Sequence, residues 1–367
     1  MRVFVASWFF PPATSSEGIV TYKLLRNSQH EYDVCSARSD QWGYKHELPV
    51  RTDNIRILSI ATDHIETWLA YAIEAFEKEH TKQPYDAFMT RSMPPESIAV
   101  GEAIKKSHPE LPWIASLADP IARNPYSIKD LILDDKEKDG EEKQAFINAL
   151  SNGFGIEASD DPGVQHLRSM KEIEDRAVNG ADALIFPCET LKSYVLGTRQ
   201  RKHAYAIPHS FDRTLSAARQ PHANSGPLDV NRPVTLTFLG HTDHLRSLNP
   251  LVLALRHIQK TDPSKLDRIR IRCIGHTPAD TRDLIYNFHL HNVVTVEPSV
   301  DYLTSLTVMA ESPWLVHVDA SFDSLKDTGG SIFFAGKIAD YFSTDAPILG
   351  LTGHGSPAQG MIDRAGG

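Results

Sequence analysis

Short apolar runs rich in β-branched and aromatic residues alternate along this chain with stretches whose hydrophobic positions recur every three or four residues. The first pattern predicts buried strands, the second amphipathic helices. In the first half, strands are expected over 3–7, 55–60, 87–90, 113–118, 183–186 and 203–206. A helix over 64–79 places Ile65, Trp68, Leu69, Ala72, Ile73 and Phe76 on one face. In the second half, strands over 234–239, 269–274, 293–296 and 314–318 alternate with helices over 248–259, 279–289 and 302–310. A last helix, entered at 331, leads into a strand over 347–351. Alternation of this kind belongs to α/β folds with parallel sheets.

The apolar face over 64–79 has two readings: contact with lipid, or packing on a sheet. Its polar side carries Glu66, Glu74 and Glu77 where a membrane-surface helix shows Lys or Arg, which favours the sheet. Residues 126–163 interrupt the alternation with a charge-dense block, KDLILDDKEKDGEEKQ. A solvated helical excursion and a lid over a binding site both fit this segment. A domain boundary is expected between Pro208 and Pro233, where the chain is polar, rich in Pro, Ser, Asn and Gly, and without period. The chain then divides into 1–212, a linker over 213–232, and 233–367.

The chain's 367 residues suffice for two domains, and its 41% hydrophobic and 23% charged content is that of a soluble globular protein. A net charge of −9 argues against a nucleic-acid partner, so any basic pocket must be local. Cys35, Cys188 and Cys273 are far apart and lack disulfide or metal-ligand spacing. No apolar run reaches the roughly 18 residues of a transmembrane helix. The opening MRVFVASWFFPP reads as a strand rather than a signal peptide. A cytoplasmic location is the expectation, with peripheral membrane contact left open.

The stretch SIFFAGKIADYFSTDAPILGL, from 331 to 351, carries the most chemistry. Lys337 and Asp340 stand three apart, on neighbouring positions of one helical face. Gly329 and Gly330 precede Ser331, and a helix starting there would offer free N–H groups and a positive dipole end to a phosphate. The cation and carboxylate suit a nucleoside diphosphate and its ribose. Gly18 lies in the loop after the first strand, FFPPATSSEGIV, at the sheet end where α/β folds gather ligands. An ordinary strand-to-helix turn capped by Ser15 or Ser16 explains the same loop.

Phe334, Lys337, Asp340, Tyr341 and Pro347 match Phe-x-x-Lys-x-x-Glu-Tyr-x-x-x-x-x-Pro, and here the chain resembles the family 4 retaining glycosyltransferases. The resemblance runs in order from the Gly18 loop to Pro347. It implies the GT-B fold: an α/β protein of two Rossmann-like domains with mostly parallel sheets facing across a cleft. The first domain would take the acceptor, the second the nucleotide-sugar donor.

In PWIASLADPIARNPY the resemblance makes Asp119 a substrate-facing carboxylate or general base, with a turn cap as the alternative. Ile121 stands where relatives often have Trp. Pro208, His209 and Ser210 occupy the places of Pro-Asn-Gly, with His209 facing the cleft or lining the hinge. Gly240 and Gly275 end strands, and Arg246 lies where relatives hold the diphosphate with a cation. Backbone over 296–300 would meet the base. The catalytic roles implied fall to Asp119, Arg246 and Lys337. The donor-binding roles fall to Gly18, Gly240, Arg246, Gly275, Ser331, Lys337 and Asp340.

Two departures stand out. Asp340 replaces the second glutamate of the family's pair, and Ile332 the first. Relatives also continue with a strand and a helix where this sequence ends, so the second domain is expected to be shortened. There is no Asp-x-Asp, phosphate-loop or nucleophile-elbow motif, so no metal or cofactor is expected. The function implied is sugar transfer from a nucleotide-diphospho-sugar to a glycan or lipid-linked acceptor. A nucleotide-sugar epimerase and a non-catalytic partner or scaffold are the alternatives.

Overall fold

The computed structural model describes residues 1–13, 15–38, 48, 53–127, 162–216, 233–243, 245–320 and 332–365. Most of the 126–163 excursion lies outside the described residues, as do Gly329, Gly330 and Ser331. The chain divides into two compact units, Met1–Pro208 and His209–Gly367.

The first unit runs β1 (Arg2–Ala6), α1 (Ser16–Arg26), β2 (Glu31–Arg38), β3 (Ile55–Ala61), α2 (Ile65–Lys82), β4 (Ala87–Arg91) and α3 (Ile98–Ser107). It continues with β5 (Trp113–Ser116), α4 (Pro162–Gly180), β6 (Ala183–Phe186), α5 (Glu189–Leu196) and β7 (Ala204–Ala206). The seven strands form one sheet in the order β3-β2-β1-β4-β5-β6-β7, with every pairing parallel.

The second unit opens with α6 (Arg213–Ser216), so the expected linker begins as a short helix, and 217–232 lie outside the described residues. Then come β8 (Val234–Leu239), α7 (Asn249–Thr261), β9 (Ile269–Ile274), α8 (Ala279–Asn287), β10 (Val294–Glu297) and α9 (Tyr302–Glu311). The unit closes with β11 (Trp314–Val318), α10 (Gly336–Tyr341), β12 (Ile348–Leu351) and α11 (Pro357–Arg364). Its parallel sheet has the order β10-β9-β8-β11-β12. In each sheet the unit's first strand lies between its second and fourth, so the strand order reverses there. Such switch points open a crevice at the carboxyl ends of the strands, where ligands bind.

Packing explains why α2 belongs to the sheet. Trp68, Ala72, Ala75 and Phe76 are buried, and Phe76 meets Phe4 of β1 edge-on at 5.3 Å. In the second unit the two faces of the sheet have separate cores. Phe238, Val316 and Val318 pack with Leu248, Val252 and Leu255 of the α7 region and with Ile285 of α8. Leu239, Ile274 and Leu315 pack with Leu306 and Met309 of α9 and with Tyr341 of α10.

Two of the differences from the sequence reading have a clear physical cause. Strand β2 was not expected, because Asp33 and Ser36 break the apolar run of EYDVCSAR. Both are buried in the strand. Arg56 reaches the Asp33 carboxylate through Nε and Nη2 at 2.7 and 2.6 Å, Tyr85 Oη donates at 2.6 Å, and Arg2 pairs with it as well. Burial alone would push the Asp33 carboxyl up, but these hydrogen bonds and charges hold it below the usual carboxylate range.

The second difference is the start of α10, which begins at Gly336 and not at Ser331. Ile332, Phe333 and Phe334 are all buried, and three consecutive buried side chains exceed what one helical face offers. Among the described residues, no helix is long and apolar enough to cross a membrane.

Candidate functional site

The site is built at the carboxyl end of the second sheet, around its switch point between β8 and β11. Strand β8 ends at Leu239 and the chain turns at Gly240 with φ +146°, while β9 ends at Ile274 and turns at Gly275 with φ +130°. Both values favour glycine. The approach is also close, since a Cβ on Gly275 would stand 1.9 Å from the Gly240 carbonyl oxygen. A Cβ on Gly240 would stand 3.2 Å from Lys337 Nζ. Glycine thus lets the two strand ends meet and lets the Lys337 ammonium lie against bare backbone.

Lys337 comes from the first turn of α10. It has no hydrogen bond and no ion pair among the described residues. Burial drives its ammonium down to about 8, with the Asp340 carboxylate opposing and the Arg246 guanidinium adding to the shift. Arg246 lies in the loop between β8 and α7. Asp243 shapes that loop: its Oδ1 accepts from Leu245 N at 2.7 Å and Arg246 N at 2.8 Å, and its own N–H donates to Arg246 O at 2.9 Å. The Arg246 Nε is buried and has no hydrogen-bond partner among the described residues. Two cations thus act on one another with no acceptor for either among the described residues, an arrangement that an anionic ligand would complete.

Asp340 is 4% exposed, and Tyr302 Oη of α9 donates to its Oδ1 at 3.2 Å. Tyr341 is buried beside it, donating through Oη to Val316 O at 3.2 Å, which ties α10 to β11. Ser331 lies outside the described residues, and the dipole of a helix starting there is withdrawn because α10 starts at Gly336. His209 lies against the Phe334 ring at 5.4 Å, within the second unit.

In the first unit, Gly18 is explained by packing. Its N–H is capped by Ser15 Oγ at 3.0 Å, and a Cβ there would stand 3.1 Å from Phe10 Cα. Asp119 is half-buried in the loop after β5. That loop is fixed by Glu174 of α4, which accepts from Ile121 N and Ala122 N at 3.2 and 3.0 Å. Tyr194 Oη of α5 secures it further by donating to Arg123 O at 2.9 Å. Ile121 is buried within it.

Three groups escaped the sequence reading. Arg91, at the end of β4, meets Glu17 Oε1 of α1 through Nε and Nη2 at 2.7 and 2.6 Å, and donates through Nη1 to Ser116 Oγ. His317 and Asp319 form a buried pair at 2.9 Å, Nε2 to Oδ1, at the end of β11, and Asp319 Oδ2 has no partner among the described residues. His241 and His276 stack at 6.2 Å, interplanar angle 25°. Only the last left a trace in sequence, as Gly-His-Thr repeats at 240–242 and 275–277.

No known family model matches the sequence, and no curated protein matches it. Solved structures do match the fold. Sucrose-phosphate synthase from Thermosynechococcus elongatus aligns with 100% of this chain and 88% of its own, at TM-score 0.57 and 13% identity. WaaG, a glycosyltransferase involved in lipopolysaccharide biosynthesis, aligns with 99% of this chain and 84% of its own, at TM-score 0.56 and 10% identity. An E. coli trehalose-6-phosphate structure bound with UDP-2-fluoro glucose aligns with 95% of this chain and 84% of its own, at TM-score 0.53 and 9% identity. At such identities the likeness establishes the fold: two parallel-sheet α/β units of the GT-B glycosyltransferase type.

Proposed function

We propose that this protein transfers a sugar from a nucleotide-diphospho-sugar to a hydroxyl group of a glycan or lipid-linked acceptor, with retention of configuration. The observation that carries this reading is the Lys337 ammonium beside Gly240 with the Arg246 guanidinium acting on it, neither having an acceptor among the described residues. Sugar transfer leaves a nucleoside diphosphate, and stabilising its departing charge is the largest demand on the protein. A guanidinium and an ammonium supply that charge without a metal ion, so donor binding is expected to survive chelation by EDTA. Asp340 would hold the ribose alongside Tyr302. Exposed Val296 and Val300, flanking the end of β10, offer an apolar edge to the base. In the first unit, Asp119 would serve the acceptor or the transferred sugar. A lipid-linked acceptor would bring peripheral membrane contact.

Two of the fold neighbours favour this reading by what they are: one is a glycosyltransferase, the other holds a UDP-sugar. The test is a thermal-shift series with UDP, GDP and ADP, with and without EDTA, followed by transfer assays with the matching nucleotide sugar. A ligand that binds the folded state raises its melting temperature. A nucleoside diphosphate that stabilises the parent but not Arg246→Ala or Lys337→Ala supports the reading. No shift with any of them would sink it, and binding without turnover would leave the scaffold reading.

A further inference from the structure

Adjacent parallel strands β8 and β9 are followed by the same three residues, Gly240-His241-Thr242 and Gly275-His276-Thr277. In each case the glycine turns the chain at positive φ, the threonine goes inside and the histidine goes out. Thr242 locks the two ends together, its N and Oγ1 both donating to His276 O at 2.9 and 3.0 Å. The imidazoles are therefore held near-parallel, their centroids 6.2 Å apart, while remaining open to solvent.

The charges that act on His241 are positive. Lys337 from α10, Arg246 from the β8–α7 loop and His276 from the β9–α8 loop all act on His241. The acid of its own loop, Asp243, has Oδ1 committed to the backbone amides of Leu245 and Arg246. Asp340 faces Lys337 and is bonded by Tyr302.

Resting on the donor reading above, we propose that His241, stacked on His276, is a proton-dependent third cation of the diphosphate site, so that donor binding takes up a proton. In the free protein, partial loss of solvent and then the charges of Lys337, His276 and Arg246 hold the His241 ring below its ordinary value. It is then mainly neutral at pH 7. A bound diphosphate brings two negative charges into the same space and reverses the balance, and the imidazole gains a proton from solvent. Because the bound form is more basic than the free form, affinity rises as pH falls between those two values. It flattens below the lower one. For a single proton the slope reaches at most about tenfold per pH unit. Lys337, at about 8, stays protonated through most of this window, so the exchange is assigned to His241.

The test uses the intact chain and UDP-glucose, GDP-mannose and ADP-glucose in turn. Their diphosphates are esterified at both ends and do not themselves titrate near neutrality. Calorimetry between pH 5.5 and 6.5, where Lys337 is already charged, in two buffers of different ionisation enthalpy, counts the protons exchanged. The parent is expected to take up a fraction of a proton, rising towards one. His241→Arg should bind without exchange, its charge being fixed. His241→Asn should bind at pH 6 no more tightly than the parent does at pH 7.5. Binding without proton uptake, or uptake that persists in His241→Arg, overturns this proposal and leaves the donor reading standing. Failure of all three donors to bind overturns both.

Discussion

Arg91 and Arg246 both stand at the carboxyl side of a parallel sheet, one in each unit, and they are held in opposite ways. Arg91 is 4% exposed at its side chain and lies on Glu17, itself 11% exposed, with Ser116 taking a further hydrogen bond. Its counter-charge is built into the same unit, on the first turn of α1. Arg246 has a buried Nε with no partner among the described residues, and the Lys337 that it acts on is cationic too. A buried donor left without an acceptor costs about 1–3 kcal/mol. The first arrangement makes sense as structure. The second makes sense when an anion arrives from outside the chain.

The largest effect expected from this contrast is on stability. Arg91→Ala leaves the Glu17 carboxylate buried and unpaired, and should lower the unfolding free energy by about 3–5 kcal/mol. Urea denaturation measures it, and an unchanged midpoint would erase the distinction between the two arginines. Arg246→Ala should behave the other way, leaving the midpoint of the free protein unchanged or raised. Its effect should fall on nucleoside-diphosphate binding, weakened by about 1.5–3 kcal/mol, as for hydrogen bonds to charged groups. Lys337→Ala should do the same, and the double variant should lose less than the sum, since both cations would meet one ligand. Strict additivity in titration calorimetry would place them on separate ligands.

The second sheet was largely legible in sequence because its strands are uniform apolar runs. The strands over 234–239, 269–274 and 314–318 coincide with β8, β9 and β11. Strand β2 was hidden because its burial depends on Asp33, whose partners Arg2, Arg56 and Tyr85 come from three other places in the chain. The start of α10 was misplaced because an apolar run such as Ile332-Phe333-Phe334 has no period of its own. The candidate site divides likewise. Lys337 and Asp340 announce themselves by a spacing of three, whereas Arg91 and Glu17 are 74 positions apart and meet only once the sheet order is known. His317 lies in β11 and Asp319 one residue past its end, a spacing of two that in sequence reads as ordinary pleating.

Gly275→Ala sharpens the contrast from the backbone side. The added Cβ would stand 1.9 Å from Gly240 O, at a φ of +130° that alanine avoids. The ends of β8 and β9 must part, at a cost on the order of 1–3 kcal/mol. Because Gly240 also borders Lys337 Nζ, donor binding should fall along with stability. A variant with lowered stability but undiminished donor affinity would separate the glycine pair from the cations.

The smallest effect expected is the pH response of Lys337. Its ammonium titrates at about 8 in the free protein, against an ordinary value of 10.5. A lysine depressed on folding weakens the folded state at low pH, and this penalty is fully present below about 8. It fades as pH rises from there to the unfolded value, so this group alone makes the free protein more stable towards alkaline pH. Donor binding should move in the opposite sense. A bound diphosphate favours the charged ammonium, so affinity should fall by up to about tenfold per pH unit above 8. Lys337→Arg keeps its charge throughout this range, and its affinity should stay level where the parent's declines. Arg91, paired within its own unit, should leave this profile unchanged when replaced by Lys. A parent whose donor affinity is flat from pH 7 to 9.5 would mean that the Lys337 ammonium does not face the diphosphate.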